Sequence, residues 1–353
     1  MKVGKLATIH VIIPCYNVEA YLEQAVESVL NQPSKDIDIV LVDDGSTDGS
    51  GAICDQLSAR YERVTVIHKE NGGVSAARNV GIAHVLSQTE RDSQKESFLA
   101  FLDADDAWTE NFLDTRVRAL LDTGYDLIGF QSCTCNHMLQ IREVSKQMQE
   151  GIYSGGASSV WLHAGAHFGA MLYSVGFLRR CGIRFREGLR YSEDKIFSLQ
   201  CMYLAGQIYL ENRPMYLYRV SGDSAMGRRG FGIPYYQPIV EAYLELDRNM
   251  ERWADDRRGV LTVGRICASR YLSYMMEEHF QQWRGKREMD RLLAAHPEYV
   301  ALLKGQPPYQ MMPSNPRYEI YEKSPVRFAV RHYLLGVPLF LRRWLGAVVK
   351  RLR

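Results

Sequence analysis

Three acidic clusters in this chain could do chemistry, and each sits where an apolar run meets turn-forming residues. "FLAFLDADDAW" (98–108) ends in Asp103, Asp105 and Asp106, "IVLVDDGSTDGSG" (39–51) sets Asp43 beside Asp44, and "GLRYSEDKIFSLQ" (188–200) pairs Glu193 with Asp194. Carboxylates as close as those of 103–106 repel one another unless a cation or a positively charged partner lies between them. Hard oxygen donors with little imidazole or thiolate nearby suit Mg²⁺ or Mn²⁺, commonly shared with phosphate oxygens. Each cluster also reads as plain structure. Asp is a good helix N-cap, Ser-Thr-Asp-Gly is a turn sequence, and Ser-Glu-Asp is a fair helix start whose acids favour the positive end of the dipole.

The elements that must position these acids alternate. "TIHVII" (8–13) reads as a buried strand and "EAYLEQAVESVL" (19–30) as a helix, followed by strand 37–42, helix 51–61, strand 64–67, helix 74–86 and strand 98–102. Such alternation implies an α/β fold with a mostly parallel sheet covered on both faces. In open sheets of this kind ligands bind beyond the carboxyl ends of the strands, and "PCYNVE", "DDGSTD" and "DADD" all fall there. "GGVSAARN" (72–79) adds a glycine pair leading into a helix with Arg78; helix N-termini and guanidinium groups both suit phosphate, although a plain turn explains the glycines equally well. A GxGxxG after the first strand and a GxxxxGK[ST] are both missing, which excludes the usual dinucleotide and P-loop signatures.

Taken in order, "VIIPCYNVEAYLEQAVESVLNQ", "IVLVDDGSTDGS", "NGGVSAARNVGI" and "FLAFLDADDAW" resemble the nucleotide-sugar-binding domain of the family 2 glycosyltransferases, over roughly residues 7–225. The resemblance implies a GT-A fold and an enzyme. It places Pro14, Tyr16, Asn17 and Glu19 around the nucleotide, Asp44 at the uracil and ribose, and Arg78 at the donor. It sets the DxD motif on Asp103-Ala104-Asp105, with Asp105 the direct ligand of Mn²⁺ or Mg²⁺ and Asp103 on the ribose side. By the same resemblance Asp194 is the catalytic base and Glu193 its support. Single displacement with such a base inverts the anomeric carbon. Relatives often carry a histidine in a "YRxH" stretch; here "YRVSGDS" (218–224) has Ser221.

The rest of the chain sets the context. With 353 residues, 46% hydrophobic and 24% charged, it is long enough for one large domain and a smaller one, and a net charge of +2 argues against a nucleic-acid binder. Seven scattered cysteines and a start that runs directly into a strand favour a reduced cytoplasmic compartment. "CTC" (133–135) puts two thiols on one strand face and reads as structural, and His163 with His167, four apart, as packing or acceptor-site lining. The expected organisation is a catalytic domain over 1–230, with its nucleotide-sugar half at about 7–110 and acceptor half at about 111–230. A helical extension over 231–323, with a linker-like stretch at 305–316, and a tail over 324–353 follow. That tail has no acid, and Arg327, Arg331, Arg342, Arg343, Lys350, Arg351 and Arg353 alternate with apolar residues. It suits an anionic membrane surface, where each basic residue contributes about 1 kcal/mol, or a site on the protein's own surface. No apolar run approaches the roughly 20 residues of a spanning helix. The combined expectation is a peripheral enzyme on the inner membrane face that moves a sugar from a UDP-linked donor to a lipid-linked saccharide in cell-surface polysaccharide synthesis. A noncatalytic nucleotide-sugar-binding scaffold subunit and a nucleotidyltransferase share the same acids and remain alternatives.

Overall fold

A computed structural model describes residues 7–34, 36–89, 97–145, 149–155, 168–189, 191–220, 233–253, 260–280 and 285–304. His163, His167, Ser221, the 305–316 stretch and the basic tail lie outside the described residues. The chain divides into two compact units, Met1–Gly227 and Arg228–Arg353. The first contains β1 (Thr8–Cys15), α1 (Leu22–Leu30), β2 (Ile37–Asp43), α2 (Ser50–Arg60), β3 (Val64–His68), α3 (Val74–Thr89), β4 (Ser97–Phe101), β5 (Ala107–Trp108), α4 (Thr115–Leu120), β6 (Leu127–Cys135), β7 (Ile141–Val144), β8 (Gly151–Ser154), β9 (Met171–Ser174), α5 (Val175–Cys181), α6 (Glu193–Leu204) and β10 (Gln207–Arg219).

The sheet runs in the order β3-β2-β1-β4-β9-β6-β10-β5, with β7 paired to β6 and β8 to β10. Its first four strands are parallel, as the βα alternation requires. β1 reads as one apolar run rather than an alternating one because both of its faces are covered. Ile9, Val11 and Ile13 join α1 and Cys54 and Leu57 of α2 in one layer, while Ile12, Val40, Val42 and Phe101 join Ala77, Ile82 and Val85 of α3 in the other. Gly81 lies at the crossing of α3 and β1, where a Cβ would come 2.5 Å from Ile12 Cγ2. Only glycine allows that approach. Cys133 and Cys135 are both buried, packed with Ala107 and Leu217.

Beyond β4 the sheet becomes mixed: β9 is antiparallel to β4 and β6, β10 is parallel to β6, and β5 is antiparallel to β10. Pairing of β10 with β6 slips around Pro214, which has no N–H to give to the ladder. The last stretch of β10 then turns back to the acidic end of β4, pairing Tyr216 with Trp108 and Leu217 with Ala107. That register carries Arg219 to Asp105 and Asp106.

The second unit is helical where described: α7 (Ile233–Trp253), α8 (Val260–Phe280), α9 (Gly285–Ala295) and α10 (Pro297–Lys304). Ile239, Val240, Tyr243 and Leu244 of α7 recur at helical spacing and are buried, and Tyr243 stacks on Tyr271 of α8 at 5.7 Å. A buried Arg265 Nε–Asp247 pair at 2.7 Å joins the same two helices. No helix among the described residues is long and apolar enough to cross a membrane.

His68, at the end of β3, ties three elements of the first unit together. Its Nδ1 lies 2.9 Å from Asp43 at the end of β2, and its Nε2 lies 3.0 Å from Asp55 on α2. Hydrogen bonds to Asp43 and Asp55 raise its pKa above the usual 6.5 against a smaller effect of burial. The folded chain therefore holds this proton more tightly than the unfolded chain does. The resulting stability is fully present below about pH 6.5 and fades as pH rises through the folded-state value. Replacing His68 with Asn should lower the melting temperature more at about pH 6 than at about pH 8.5; parallel melting curves across that range would show that the clamp contributes nothing through its charge.

Candidate active site

The β1–α1 and β2–α2 loops meet at the carboxyl edge of the sheet and are stapled to each other. Asn17, a non-glycine residue at φ 53°, accepts the Thr47 N–H at 2.8 Å, the Val18 N–H donates to Ser50 Oγ at 2.8 Å, and Glu19 Oε2 accepts the Gly49 N–H at 2.7 Å. These bonds hold residues 17–19 in a loop, so α1 begins at Leu22 rather than at residue 19 as its apolar spacing suggests.

Asp44 is 3% exposed, and its carboxylate is already satisfied from within the chain. It accepts the Gly72 N–H at 3.0 Å, the Gly73 N–H at 2.7 Å and the Lys69 ammonium, while Asn71 Nδ2 donates to its carbonyl at 3.0 Å. The glycine pair therefore forms a turn closed on a carboxylate. Its amides are not vacant for phosphate.

Arg78 joins Asp103, after β4, to α6. Nη2 donates to Asp103 Oδ1 at 2.7 Å and Nη1 to Glu193 Oε1 at 3.1 Å, linking residues 115 positions apart in the chain. The guanidinium is 3% exposed and lies 4.4 Å from the ring centre of Phe168 and 5.1 Å from that of Phe185. Phe185 stacks on Phe197 of α6 at 4.0 Å, and Phe101 of β4 packs edge-on against both. This aromatic bed sets α6 and the end of β4 on either side of Arg78. Burial works against the Arg78 charge, but Asp103 and Glu193 outweigh it and raise its pKa further. Glu193 is raised by burial and by the adjacent Asp194, against the pull of Arg78. α6 opens from Ser192, held at φ 66°, a strained conformation for a residue with a Cβ. Asp194 Oδ1 accepts the Lys195 N–H at 2.7 Å, and its other oxygen has no partner among the described residues.

The acidic turn after β4 is held from β10. Asp106 accepts from Tyr216 Oη at 2.6 Å and from the Arg219 N–H at 2.7 Å, and burial together with Asp105 and Asp103 pushes its pKa up to about 8. Burial and Asp103 likewise raise Asp105, opposed by the Arg219 charge. A carboxylate raised in this way at a cavity wall fits a hard cation, which would reverse the penalty. Among the described residues no three His, Cys, Asp or Glu side chains are grouped to hold a metal. A cation at Asp105 would thus take further ligands from a diphosphate or water, as Mg²⁺ commonly does.

A cavity of 390 Å³ opens between these parts, lined by Pro14, Cys15, Tyr16, Val18, Asp44, Asn71, Gly73, Val74, Ala77, Arg78, Asp103, Ala104 and Asp105. Seven residues singled out from sequence line it: Pro14, Tyr16, Asp44, Arg78, Asp103, Ala104 and Asp105. Asn17 and Glu19 instead staple the loops, and Glu193 connects to the cavity through Arg78. Sequence reasoning missed Lys69, Asn71, Tyr216 and Arg219. Their partners lie in other parts of the chain, and β10 carries further polar residues, so neither type nor position marked them out.

The sequence profile of glycosyl transferase family 2 matches residues 10–179. Glycosyltransferase GlyG of Streptococcus pneumoniae serotype 4 is 30% identical over 253 residues, covering 67% of this chain and 78% of GlyG. The chain belongs to glycosyl transferase family 2. EpsJ of Bacillus subtilis, an uncharacterized glycosyltransferase, is 27% identical over 251 residues, or 67% of this chain and 66% of EpsJ. The crystal structure of S. aureus TarS 1–349 in complex with UDP-GlcNAc superposes with a TM-score of 0.61 at 18% identity, over 92% of this chain and 89% of that one, and shows that the fold is shared. The fold is thus GT-A-like.

In this family 2 member, removing Arg78 would strand two carboxylates at a buried guanidinium site. Arg78→Met should cost about 3–5 kcal/mol of stability, and adding Asp103→Asn with Glu193→Gln should restore much of it. Urea titrations of the single, double and triple variants check this. A single variant as stable as wild type would mean the carboxylates find other partners.

Proposed function

We propose that the protein is a metal-dependent, inverting glycosyltransferase that moves a sugar from a UDP-linked donor to a hydroxyl of a lipid-linked saccharide in cell-surface polysaccharide synthesis. The observation that carries this reading is the Asp103–Arg78–Glu193 bridge, which ties the acidic turn after β4 to the start of α6. The UDP-GlcNAc held by TarS on the same fold supports a UDP-sugar donor. In this scheme Pro14, Tyr16 and Asp44 line the nucleotide end, with Asn17 and Glu19 holding its loops in place. Asp44, held by Lys69 and the Gly72 and Gly73 amides, acts there as a fixed, neutralised wall.

Asp105, with Asp103 beside it, would hold Mn²⁺ or Mg²⁺, which when bound neutralises charge on the departing diphosphate. The α6 acids divide the remaining work. Glu193 is committed to Arg78, whereas Asp194 has an oxygen to spare, which favours Asp194 as the base that takes the acceptor hydroxyl proton. The acceptor oxygen bonds to the anomeric carbon as the bond from that carbon to the diphosphate oxygen breaks. Attack from the opposite face converts an α-linked donor into a β-linked product.

Calorimetric titration with UDP, GDP and CDP, each with Mn²⁺ and with chelator, should show metal-dependent binding of UDP. Asp105→Asn should abolish the metal dependence, and Asp194→Asn should keep donor binding while lowering turnover by about 10²-fold or more. Absence of all nucleotide binding in folded protein would turn the reading towards a scaffold subunit, and release of pyrophosphate towards a nucleotidyltransferase.

We assign the 324–353 segment to the anionic inner face of the membrane, where a lipid-linked acceptor would be found. Its seven basic residues interleaved with Phe328, Tyr333, Phe340 and Trp344 support this. Protein lacking 324–353 should no longer cosediment with phosphatidylserine-containing vesicles. Undiminished cosedimentation would remove the tail from the scheme.

A further inference from the structure

Arg219 does not line the cavity, yet two of its bonds hold the acidic turn and two more anchor it to other elements of the first unit. Within the turn, one backbone bond, from Asp106 N–H to the Asp103 carbonyl at 2.9 Å, closes a loop of mutually repelling carboxylates. Tyr216 Oη accepts the Asp103 N–H at 3.2 Å and donates to Asp106, and Arg219 adds two further bonds. Its backbone N–H donates to Asp106 Oδ1 at 2.7 Å and its Nε–H to the Asp105 carbonyl at 2.6 Å. Nη2 reaches Gln24 Oε1 at 2.8 Å on α1, Nη1 donates to the His137 carbonyl after β6, and the guanidinium lies 4.8 Å from the ring centre of Tyr21. The residue is 4% exposed. Its side-chain partners are neutral oxygens. A buried cation with this set of partners has its nearest compensation in the acidic turn, so geometry and charge both act on Asp105.

We propose, on the basis of the metal-binding role assigned above to Asp105, that Arg219 is a positioning residue for that carboxylate. The planar fork braces the Asp105 carbonyl from behind, against α1 on one side and the β6–β7 turn on the other. The carboxylate on the cavity side is thereby held in one orientation. Lysine carries the same charge but cannot reach three acceptors in three directions, so charge alone will not substitute.

The test uses the full chain carrying Arg219→Lys, with Gln24→Ala as a milder variant that removes one arm of the brace on a helix surface. Mn²⁺ affinity is read from the electron paramagnetic resonance of free Mn²⁺ in the presence of UDP, UDP affinity is measured separately in chelator, and amide hydrogen exchange is followed over residues 103–106. Arg219→Lys should weaken Mn²⁺ binding by about tenfold or more and Gln24→Ala by a few-fold, as loss of outer supports does. Metal-free UDP affinity should stay at the wild-type value, and exchange at the Asp105 and Asp106 amides should quicken. A general loss of structure would move both affinities together. Wild-type Mn²⁺ affinity and exchange in folded Arg219→Lys would overturn the proposal; should that variant fail to fold, the same result in Gln24→Ala would do so. Should wild-type protein with UDP take up no Mn²⁺, the metal role of Asp105 falls, and the exchange measurement still decides whether Arg219 holds the turn.

Discussion

A single buried guanidinium, that of Arg78, is the constraint on which the arrangement of this site depends. Asp103 and Glu193, from distant parts of the chain, meet around it, and like charges in a poorly solvated place would separate without a cation between them. Arg78 supplies it with hydrogen bonds at 2.7 and 3.1 Å, and the rings of Phe168 and Phe185 fix where it can lie. Phe101, Phe185 and Phe197 then couple that position to the core. Packing behind the cavity and charge at its wall are one construction.

The parallel half of the fold was legible in the sequence because β1, β4 and most of β2 are buried and read as apolar runs separated by stretches of helical spacing. The mixed half was less legible. β5 is two residues long, β7 is exposed along its whole length, and the order in which β9 and β10 insert depends on pairings between residues far apart. Such pairings leave no local period to read.

The candidate site was legible to the extent that its residues fall at strand ends. Asp44, Asp103 and Asp105 follow apolar runs directly, and all three line the cavity. Asn17 and Glu19 lie in an equally suggestive place, yet their side chains hold the two loops together, a use that type and position alone do not distinguish from ligand binding. Lys69 and Arg219 show the opposite case. Each acts on an acid from another part of the chain, Lys69 on Asp44 and Arg219 on the turn at Asp105, through contacts that only the register of the sheet determines.

The bridge from Asp103 through Arg78 to Glu193 also constrains how such a chain can change by recombination. Residues 78 and 103 belong to the stretch before β5, and residue 193 to a helix encoded much later. An exchange with a relative at any point between 103 and 193 would pair one parent's guanidinium with the other parent's α6, and a mismatch in the aromatic bed would leave a buried charge without its partner. Crossovers that preserve the fold should therefore fall outside residues 78–193, so that all three members of the bridge come from one parent.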